Sequence, residues 1–345
     1  MIAAASSVGT WSRGPLAIND LHLSGRAFLA PMSGVSDVGM RRVAQQFGAS
    51  LVISEMVASD DFVRGDEESR IRAEGEGVSP HVVQIAGRDP YWMGEAARLA
   101  EASSADAIDI NMGCPAKRVT GGLAGSALMR DLDLAIEIIR ATVTAVSVPV
   151  TLKMRLGWDR ACLNAPELAR RAGEEGIALL TVHGRTRDQF YKGEADWRGI
   201  RAVKDAVSIP VVANGDCTTA ADAASMLAAS GADAVMIGRG AVGRPWFVGQ
   251  ITQFLATGKL GLLPSLAERC GAALRHYRTL LSLFGREQGL RHARKHIAAY
   301  AEWAARYGAP EAAALRLPLV TSESPSEVER LLSRIFDYEP VLEAA

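Results

Sequence analysis

The stretch VVANGDCTTAADAASMLAASGADAVMIGRG, residues 211–240, decides the fold. It opens on one apolar run, 211–213, and closes on another, 234–237, with an Ala-rich helical stretch between them. Neither run alternates with polar residues. Strands apolar on both faces need cover on both, and a parallel sheet with helical crossovers supplies it. Each run ends at a glycine-bearing turn, Asn214-Gly215-Asp216 and Gly238-Arg239-Gly240. The same unit recurs upstream, with runs at 26–30, 51–54, 81–85, 107–110, 150–154 and 179–182, which makes eight in all. Eight βα units in roughly 220 residues predict a (β/α)8 TIM barrel, a fold of about 250 residues. The alternative is a doubly wound sheet, but no GxGxxG opens the first βα turn. Past residue 250 the strand pattern stops, and helices are predicted over 266–283, 291–307 and 326–336. Gly308-Ala309-Pro310 closes the second of these, and Pro325 or Ser326 starts the third. The expected organisation is an α/β barrel over 1–250 followed by a small all-helical domain over 251–345.

Composition bounds the function. Of 345 residues, 48% are hydrophobic and 22% charged, an ordinary globular balance. The formal net charge of −1 excludes a polybasic coat but not a local basic patch. The four cysteines, Cys114, Cys162, Cys217 and Cys270, form no CxxC pair. A disulfide framework or metal site is therefore not expected, and a reducing cytoplasmic location is. The opening MIAAASSVGTWSRG has no basic region followed by a long apolar run, so no signal peptide is read there. No stretch approaches the ~20 apolar residues of a membrane span. The expected species is a monomer.

In such a barrel the chemistry gathers where strands end. The first run ends in Pro31-Met32-Ser33, the second in Glu55-Met56, and the third passes through Gln84. The fourth ends in Asn111-Met112-Gly113-Cys114-Pro115, the fifth carries Lys153 and Arg155, and the sixth ends in His183-Gly184-Arg185-Thr186. Any one of these could be a cap or turn; all of them together, with the two glycine turns, read as a lined pocket. The turns after the last two strands bring bare backbone N–H groups to the habitual phosphate position. Asn-Gly alone is ordinary turn chemistry; a pair of such turns with Arg239 points to phosphate. Gln84 offers both donor and acceptor to a ring edge. Lys153, between Leu152 and Met154, needs an anionic partner. Pro31-Met32 suits the floor of a ring, although Met is also ordinary filling. One phosphate and one ring fit flavin mononucleotide (FMN). Cys114 lies just past a strand end beside Asn111, in a glycine-rich loop, where a thiol serves as a general acid rather than as inert filling. The other three cysteines read as inert.

Together these segments resemble the tRNA-dihydrouridine synthase family. The matching stretches are AFLAPMSGVSD (27–37), SEMV (54–57), VVQIAGRDP (82–90), IDINMGCPAKRVTGGLAGSALM (108–129), LKMRLGWD (152–159), LTVHGRTRDQFYKGEADW (180–197), VVANGD (211–216) and VMIGRGAVGRPW (235–246). RHARKHIAAY (291–300) resembles the family's B subgroup. The resemblance implies FMN as prosthetic group and NADPH as electron donor. It implies that Pro31, Met32, Ser33, Gln84, Lys153, Asn214, Gly215, Asp216, Gly238 and Arg239 hold the flavin, and that Cys114 is the proton donor. Asn111, Arg155 and His183 match positions near the flavin and the target uracil.

A tRNA partner needs a surface. Lys117 and Arg118 follow the cysteine, and Arg185 begins a loop that also carries Arg187, Tyr191 and Lys192. Arg291, Arg294 and Lys295 stand at i, i+3 and i+4 and so share one helix face, which is either a phosphate grip or a solvated surface. The competing enzyme reading is a dihydroorotate dehydrogenase-like FMN oxidoreductase acting on a free pyrimidine, which would need no basic helical domain. The segment before residue 21 is assigned no role.

Overall fold

The computed structural model describes residues 15–307 and 309–337; the stretch 1–14, read above for a leader, and Gly308, read as part of a helix-closing turn, lie outside the described residues. Eleven strands are described: β1 Leu16–Ile18, β2 Leu21–Leu23, β3 Ala27–Leu29, β4 Leu51–Val52, β5 Val57–Ala58, β6 Val82–Ala86, β7 Ala107–Met112, β8 Val150–Arg155, β9 Leu179–His183, β10 Val211–Asn214 and β11 Ala234–Ile237. The last nine form one parallel sheet in the order β4-β3-β11-β10-β9-β8-β7-β6-β5. β4 and β5 are two halves of the second barrel strand. The bridge Ile53↔Val82 lies between them and closes the sheet into a barrel. The break follows from Ser54, whose N–H donates to Val82 O at 3.0 Å and whose Oγ accepts from Gln84 N–H at 2.9 Å. The (β/α)8 barrel expected from eight apolar runs is the architecture found.

Strand alternation sorts the barrel core into two sets. Leu29, Val83, Ile108, Leu152, Leu180 and Ile237 pack outward with the helices. Phe28, Leu51, Val82, Leu179, Val212 and Met236 form a second cluster with Leu16, Ile18 and Leu23. These last three belong to the β1–β2 hairpin, which plugs the barrel at the strand starts. Each large apolar side chain buried this way stabilises by about 1.5–3 kcal/mol. The hairpin was not anticipated. Its three-residue strands are too short for alternation to stand out, and its signal is the Asn19-Asp20 turn with Asn19 at φ 52°.

The helical region packs on this barrel. The predicted helices 266–283 and 291–307 are found as two helical stretches that follow one another in Leu266–Arg306, the first started by a Ser265–Glu268 capping box and the two separated at Gly285, whose backbone is not helical (φ 69°, ψ 177°). Helix Ala312–Thr321 was missed because it carries Pro318 and has no side-chain cap. The last helix, Pro325–Arg334, starts under a Ser324 cap. The expected division at 250/251 falls inside helix Phe247–Thr257, whose Phe247, Val248, Ile251 and Leu255 join the barrel core. Two anchors fix the region to the barrel. Trp246 is buried with Tyr277, Ile297, Tyr300 and Leu331. Asp37, the N-cap of helix Val38–Gln46, lies 3.1 Å from His276 Nε2 and 3.0 Å from His296 Nε2. No described helix is long and apolar enough to cross a membrane.

Candidate active site

One cavity of about 1870 Å³ opens at the C-terminal ends of the barrel strands and runs toward the end of helix Leu266–Arg306. The strand-end residues singled out in the sequence converge on it. Pro31, Met32 and Ser33 come from the turn after β3, Gln84 from β6, and Asn111 and Cys114 from β7 and its loop. Lys153 and Arg155 come from β8, His183 from β9, Asn214, Gly215 and Asp216 from β10 and its turn, and Gly238 and Arg239 from the turn after β11. Arg118 and Arg185 also line it, while Lys117 is exposed on the short helix Lys117–Gly121. Arg291, Arg294 and Lys295 are exposed outside the cavity. Lys295 borders the turn after β3: a Cβ at Gly34 would sit 3.1 Å from its Nζ.

Cys114 is held by its backbone. Its N–H donates to Asn111 Oδ1 at 2.9 Å, as does that of Gly113 at 3.1 Å. Its carbonyl accepts from Ser126 N–H at 3.1 Å and Ser126 Oγ at 2.8 Å. Gly125 (φ +59°) lets the chain pass here, since a Cβ would lie 2.9 Å from Cys114 O. Burial pushes the Cys114 thiol up from its ordinary value, so it keeps its proton at neutral pH. Cys217 is buried and its thiol is pushed up to about 12, which fits the inert reading.

Lys153 is 9% exposed, and its hydrogen bond, 3.2 Å to Asn214 Oδ1, occupies one of its three donors. Burial and then Arg155 pull it down to about 8, which still leaves an ammonium at pH 7. Asn214 is oriented by its Nδ2, which donates to Met236 O at 2.8 Å. His183 is held well below its ordinary value by burial and by Lys153, Arg155, Arg185 and Arg239. A neutral imidazole here both donates and accepts. Arg155 spans the mouth, donating to Gly113 O at 2.7 Å and to Thr186 O and Phe190 O at 2.9 Å.

Arg185, expected to face the substrate, is 1% exposed. It donates to Asp216 at 3.0 and 2.6 Å, to Lys192 O at 3.2 Å and to Gly193 O. It therefore shapes the rim loop 186–197 from beneath. Asp216 takes Arg239 as well, at 3.1 Å. Tyr191 sits between two guanidinium groups, with Arg155 5.6 Å and Arg239 5.3 Å from its ring centroid. At Gly215 (φ +124°) a Cβ would lie 2.7 Å from Ala195 Cβ, so only glycine passes.

Sequence reasoning missed several residues. Asp109 is fully buried on β7, accepting from Gln84 Nε2 at 2.6 Å and Thr151 Oγ1 at 2.6 Å. Its signal was an acid inside the apolar run Ala-Ile-Asp-Ile. Arg244, Trp303, Arg306 and Tyr307 line the far end of the cavity, and nothing in their local sequence marked them. Apart from the cavity, Asp37, His276 and His296 form a buried cluster whose ligand-type atoms lie within 4.8 Å of one another.

This arrangement has relatives. The dihydrouridine synthase family profile matches residues 28–337. A probable tRNA-dihydrouridine synthase of Rhizobium leguminosarum bv. phaseoli is 51% identical over 312 residues, covering 90% of this chain and 95% of that one. A probable tRNA-dihydrouridine synthase of Rhodobacter capsulatus is 48% identical over 323 residues, covering 93% and 98%. The tRNA-dihydrouridine synthase B of Xanthomonas axonopodis pv. citri is 46% identical over 321 residues, covering 93% and 95%. Among solved structures, histamine dehydrogenase from Rhizobium sp. 4-9 overlays with a TM-score of 0.54 at 12% identity, covering 79% of this chain and 51% of that chain. That last likeness concerns the fold alone; the family profile and the sequence relatives carry the assignment, and by them the chain belongs to the dihydrouridine synthase family.

Proposed function

We propose that this chain reduces the C5–C6 double bond of specific uridines in tRNA to 5,6-dihydrouridine, with FMN as its prosthetic group and NADPH as electron donor. The observation that carries this reading is the Cys114 thiol, pinned through its backbone at the wall of the same cavity that buries Lys153. The cavity fits a flavin. Gly215 and Gly238 line the cavity at the turns after β10 and β11, where a phosphate belongs. Lys153 has donors left over for an anionic ring edge. Gln84 accepts from Asn111 Nδ2 at 2.8 Å and donates one N–H to Asp109, which leaves one N–H for the ring. When bound, the flavin supplies hydride chemistry.

The chain's own residues do the rest. Lys153 sets a fixed positive charge against the anionic ring edge. Asn111 and neutral His183 orient the uracil through hydrogen bonds. Cys114 delivers its proton to C5 of the uracil and becomes a thiolate, stabilised by Arg155 and Lys153, whose charges favour that form. A stacked base does not reach this cavity, so the target uridine is flipped out, which costs less in a tRNA loop than in a stem. The barrel up to about residue 250 is the catalytic domain and the helical region is the tRNA grip. The proposed species is a monomer. The reaction uses no metal, and it proceeds in the cytoplasm, where tRNA is modified.

The test is reduction of an unmodified tRNA transcript by the purified protein with NADPH, read as dihydrouridine per tRNA, beside free uracil and orotate. Dihydrouridine in the transcript and none from the free bases is the expected result. Reduction of orotate alone would overturn it in favour of a free-pyrimidine oxidoreductase.

A further inference from the structure

Four residues on adjacent strands form a directed hydrogen-bond relay that ends at the cysteine loop. Asp109 Oδ2 accepts from Gln84 Nε2 at 2.6 Å. Gln84 Oε1 accepts from Asn111 Nδ2 at 2.8 Å. Asn111 Oδ1 accepts from the backbone N–H groups of Gly113 at 3.1 Å and Cys114 at 2.9 Å. On the far side, Thr151 Oγ1 donates to Asp109 Oδ1 at 2.6 Å. Parallel pairing sets these residues side by side, with Gln84 opposite Asp109 and Asp109 opposite Thr151.

An amide side chain can be turned over, so its donor and acceptor ends are interchangeable in shape. Here both ends of the relay fix the direction. Backbone N–H groups at one end accept nothing, so Asn111 must present oxygen to them. A carboxylate at the other end donates nothing, so Gln84 must present nitrogen to it. Only one arrangement of the two amides satisfies every group, and in this buried site an unsatisfied group costs about 1–3 kcal/mol. Turning one amide forces the next to turn, and the last would bring an Asn111 N–H against the N–H groups of Gly113 and Cys114.

We infer that Asp109 is a positioning residue for the reduction: as the acceptor-only terminus of the relay, it holds the outer N–H of Gln84 and so locks the Gln84–Asn111 pair in the direction that the Gly113 and Cys114 N–H groups also require, which steadies the acceptor of the Cys114 backbone and so aims the thiol. The inference deepens the proposed reaction and rests on that reading for its effect on activity, but the relay itself does not. What the relay requires of position 109 is acceptor polarity toward Gln84, not negative charge. An asparagine there keeps the direction if its Nδ2 points the other way, to Thr151 Oγ1. That hydroxyl then turns to donate to Ile108 O, which lies 3.5 Å away. Thr151 thus supplies the acceptor that the asparagine N–H needs, and removing it from the asparagine variant leaves that buried N–H unsatisfied, which loosens the relay at its Asp109 end.

The experiment uses the FMN-loaded protein and Asp109→Leu, Asp109→Asn, Thr151→Val and the Asp109→Asn/Thr151→Val double variant. The primary readout is hydrogen exchange of the Gly113 and Cys114 amides, which needs no turnover. The second is uridine reduction on tRNA transcript. Asp109→Asn should keep both amides protected. Thr151→Val loses one hydrogen bond to a carboxylate that still directs the relay, so its loss of activity should stay within about threefold. Asp109→Leu and the double variant should exchange these amides several-fold faster, up to about tenfold. They should also lose up to about 10²-fold in uridine reduction, the scale of a misplaced reacting group. The near-isosteric double variant carries the test if the leucine variant fails to fold. Equal damage from Asp109→Asn and Asp109→Leu would show that charge rather than polarity matters, and would overturn the inference. So would additive effects of the two single substitutions. A wild-type protein that shows this exchange pattern yet leaves tRNA unreduced would overturn the proposed reaction and leave the relay standing.

Discussion

The chemistry of individual residues is set by what burial does to their protons. Cys114 keeps its proton because desolvation disfavours the thiolate, and a donor must arrive protonated. Cys114→Ala should retain bound FMN and NADPH oxidation while uridine reduction falls by about 10²–10⁴-fold; stopped-flow flavin reduction beside a dihydrouridine count separates the two, and unimpaired dihydrouridine formation would remove Cys114 from its role. Lys153 works in the opposite sense. Below about 8 it carries its ammonium and above that it is neutral, so NADPH oxidation should decline as pH rises through that value. Lys153→Met should flatten this limb and lower the rate by about 10²-fold, as for loss of one charge-stabilising donor; an unchanged limb in the variant would assign it to another group. These residues were legible in the sequence because a lysine, cysteine or histidine at the end of an apolar strand has no packing reason to be there. Asp109 carried the same signal, an acid inside an apolar run, but its partners on β6 and β8 were not legible, because only the barrel brings them beside it. Arg185 misled for the converse reason. Sequence shows an arginine after a strand end, but not that Asp216 and two loop carbonyls lie within its reach.

At the scale of elements, the runs that alternate with nothing were readable as barrel strands. Those whose meaning depends on a partner were not. The hairpin β1–β2 has purpose only as a plug under Phe28 and Leu51, and helix Ala312–Thr321 exists by packing against helix Leu266–Arg306. The junction between the barrel and that long helix makes a pH prediction. His296 is 4% exposed, and burial pulls its pKa from 6.5 to about 4. Between those values the unfolded chain holds a proton on this ring and the folded chain does not, so stability should fall as pH drops through that window. The complete loss is about 3.5 kcal/mol, from about 1.4 kcal/mol for each unit between the two values. Asp37, whose pKa is held low in the presence of the two histidines, adds its own loss only below the ordinary carboxylate range. His296→Gln should be less stable at pH 7 and should flatten the decline between about pH 6.5 and 4. Urea unfolding at stepped pH reads both, and parallel slopes in variant and wild type would place the titration elsewhere.

For the molecule as a whole, a net charge of −1 forces specificity of approach rather than general attraction to RNA. The charge is unevenly spread. Asp60, Asp61, Asp66 and Glu68 line the side of the cavity mouth that follows the second barrel strand; Arg64 pairs with Asp60 and Arg72 with Glu68, which leaves Asp61 and Asp66 to repel a phosphodiester backbone there. Arg118 and Arg239 line the cavity on other loops, and Arg291, Arg294 and Lys295 stand exposed on the long helix, with Lys295 beside the turn after β3. On the proposed function, a tRNA whose flipped uridine reaches Cys114 would lay its backbone across the helical region. If those three side chains meet phosphates, each releases condensed counterions on binding. Replacing all three with Ala should weaken tRNA binding and reduce the slope of log affinity against log salt by up to about 2–3, at about 0.7–0.9 per phosphate contact. FMN content and NADPH oxidation should stay as in the wild type, because no strand end is touched. A salt titration of tRNA binding by both proteins decides it. An unchanged slope would move the grip to the rim loop that carries Arg187, Tyr191 and Lys192, where Arg187 already lies 4.5 Å from the ring centroid of Trp158 and 5.0 Å from that of Phe190. A grip there would work through stacked bases more than through phosphates, so its affinity would depend less on salt and more on which loop of the tRNA is single-stranded.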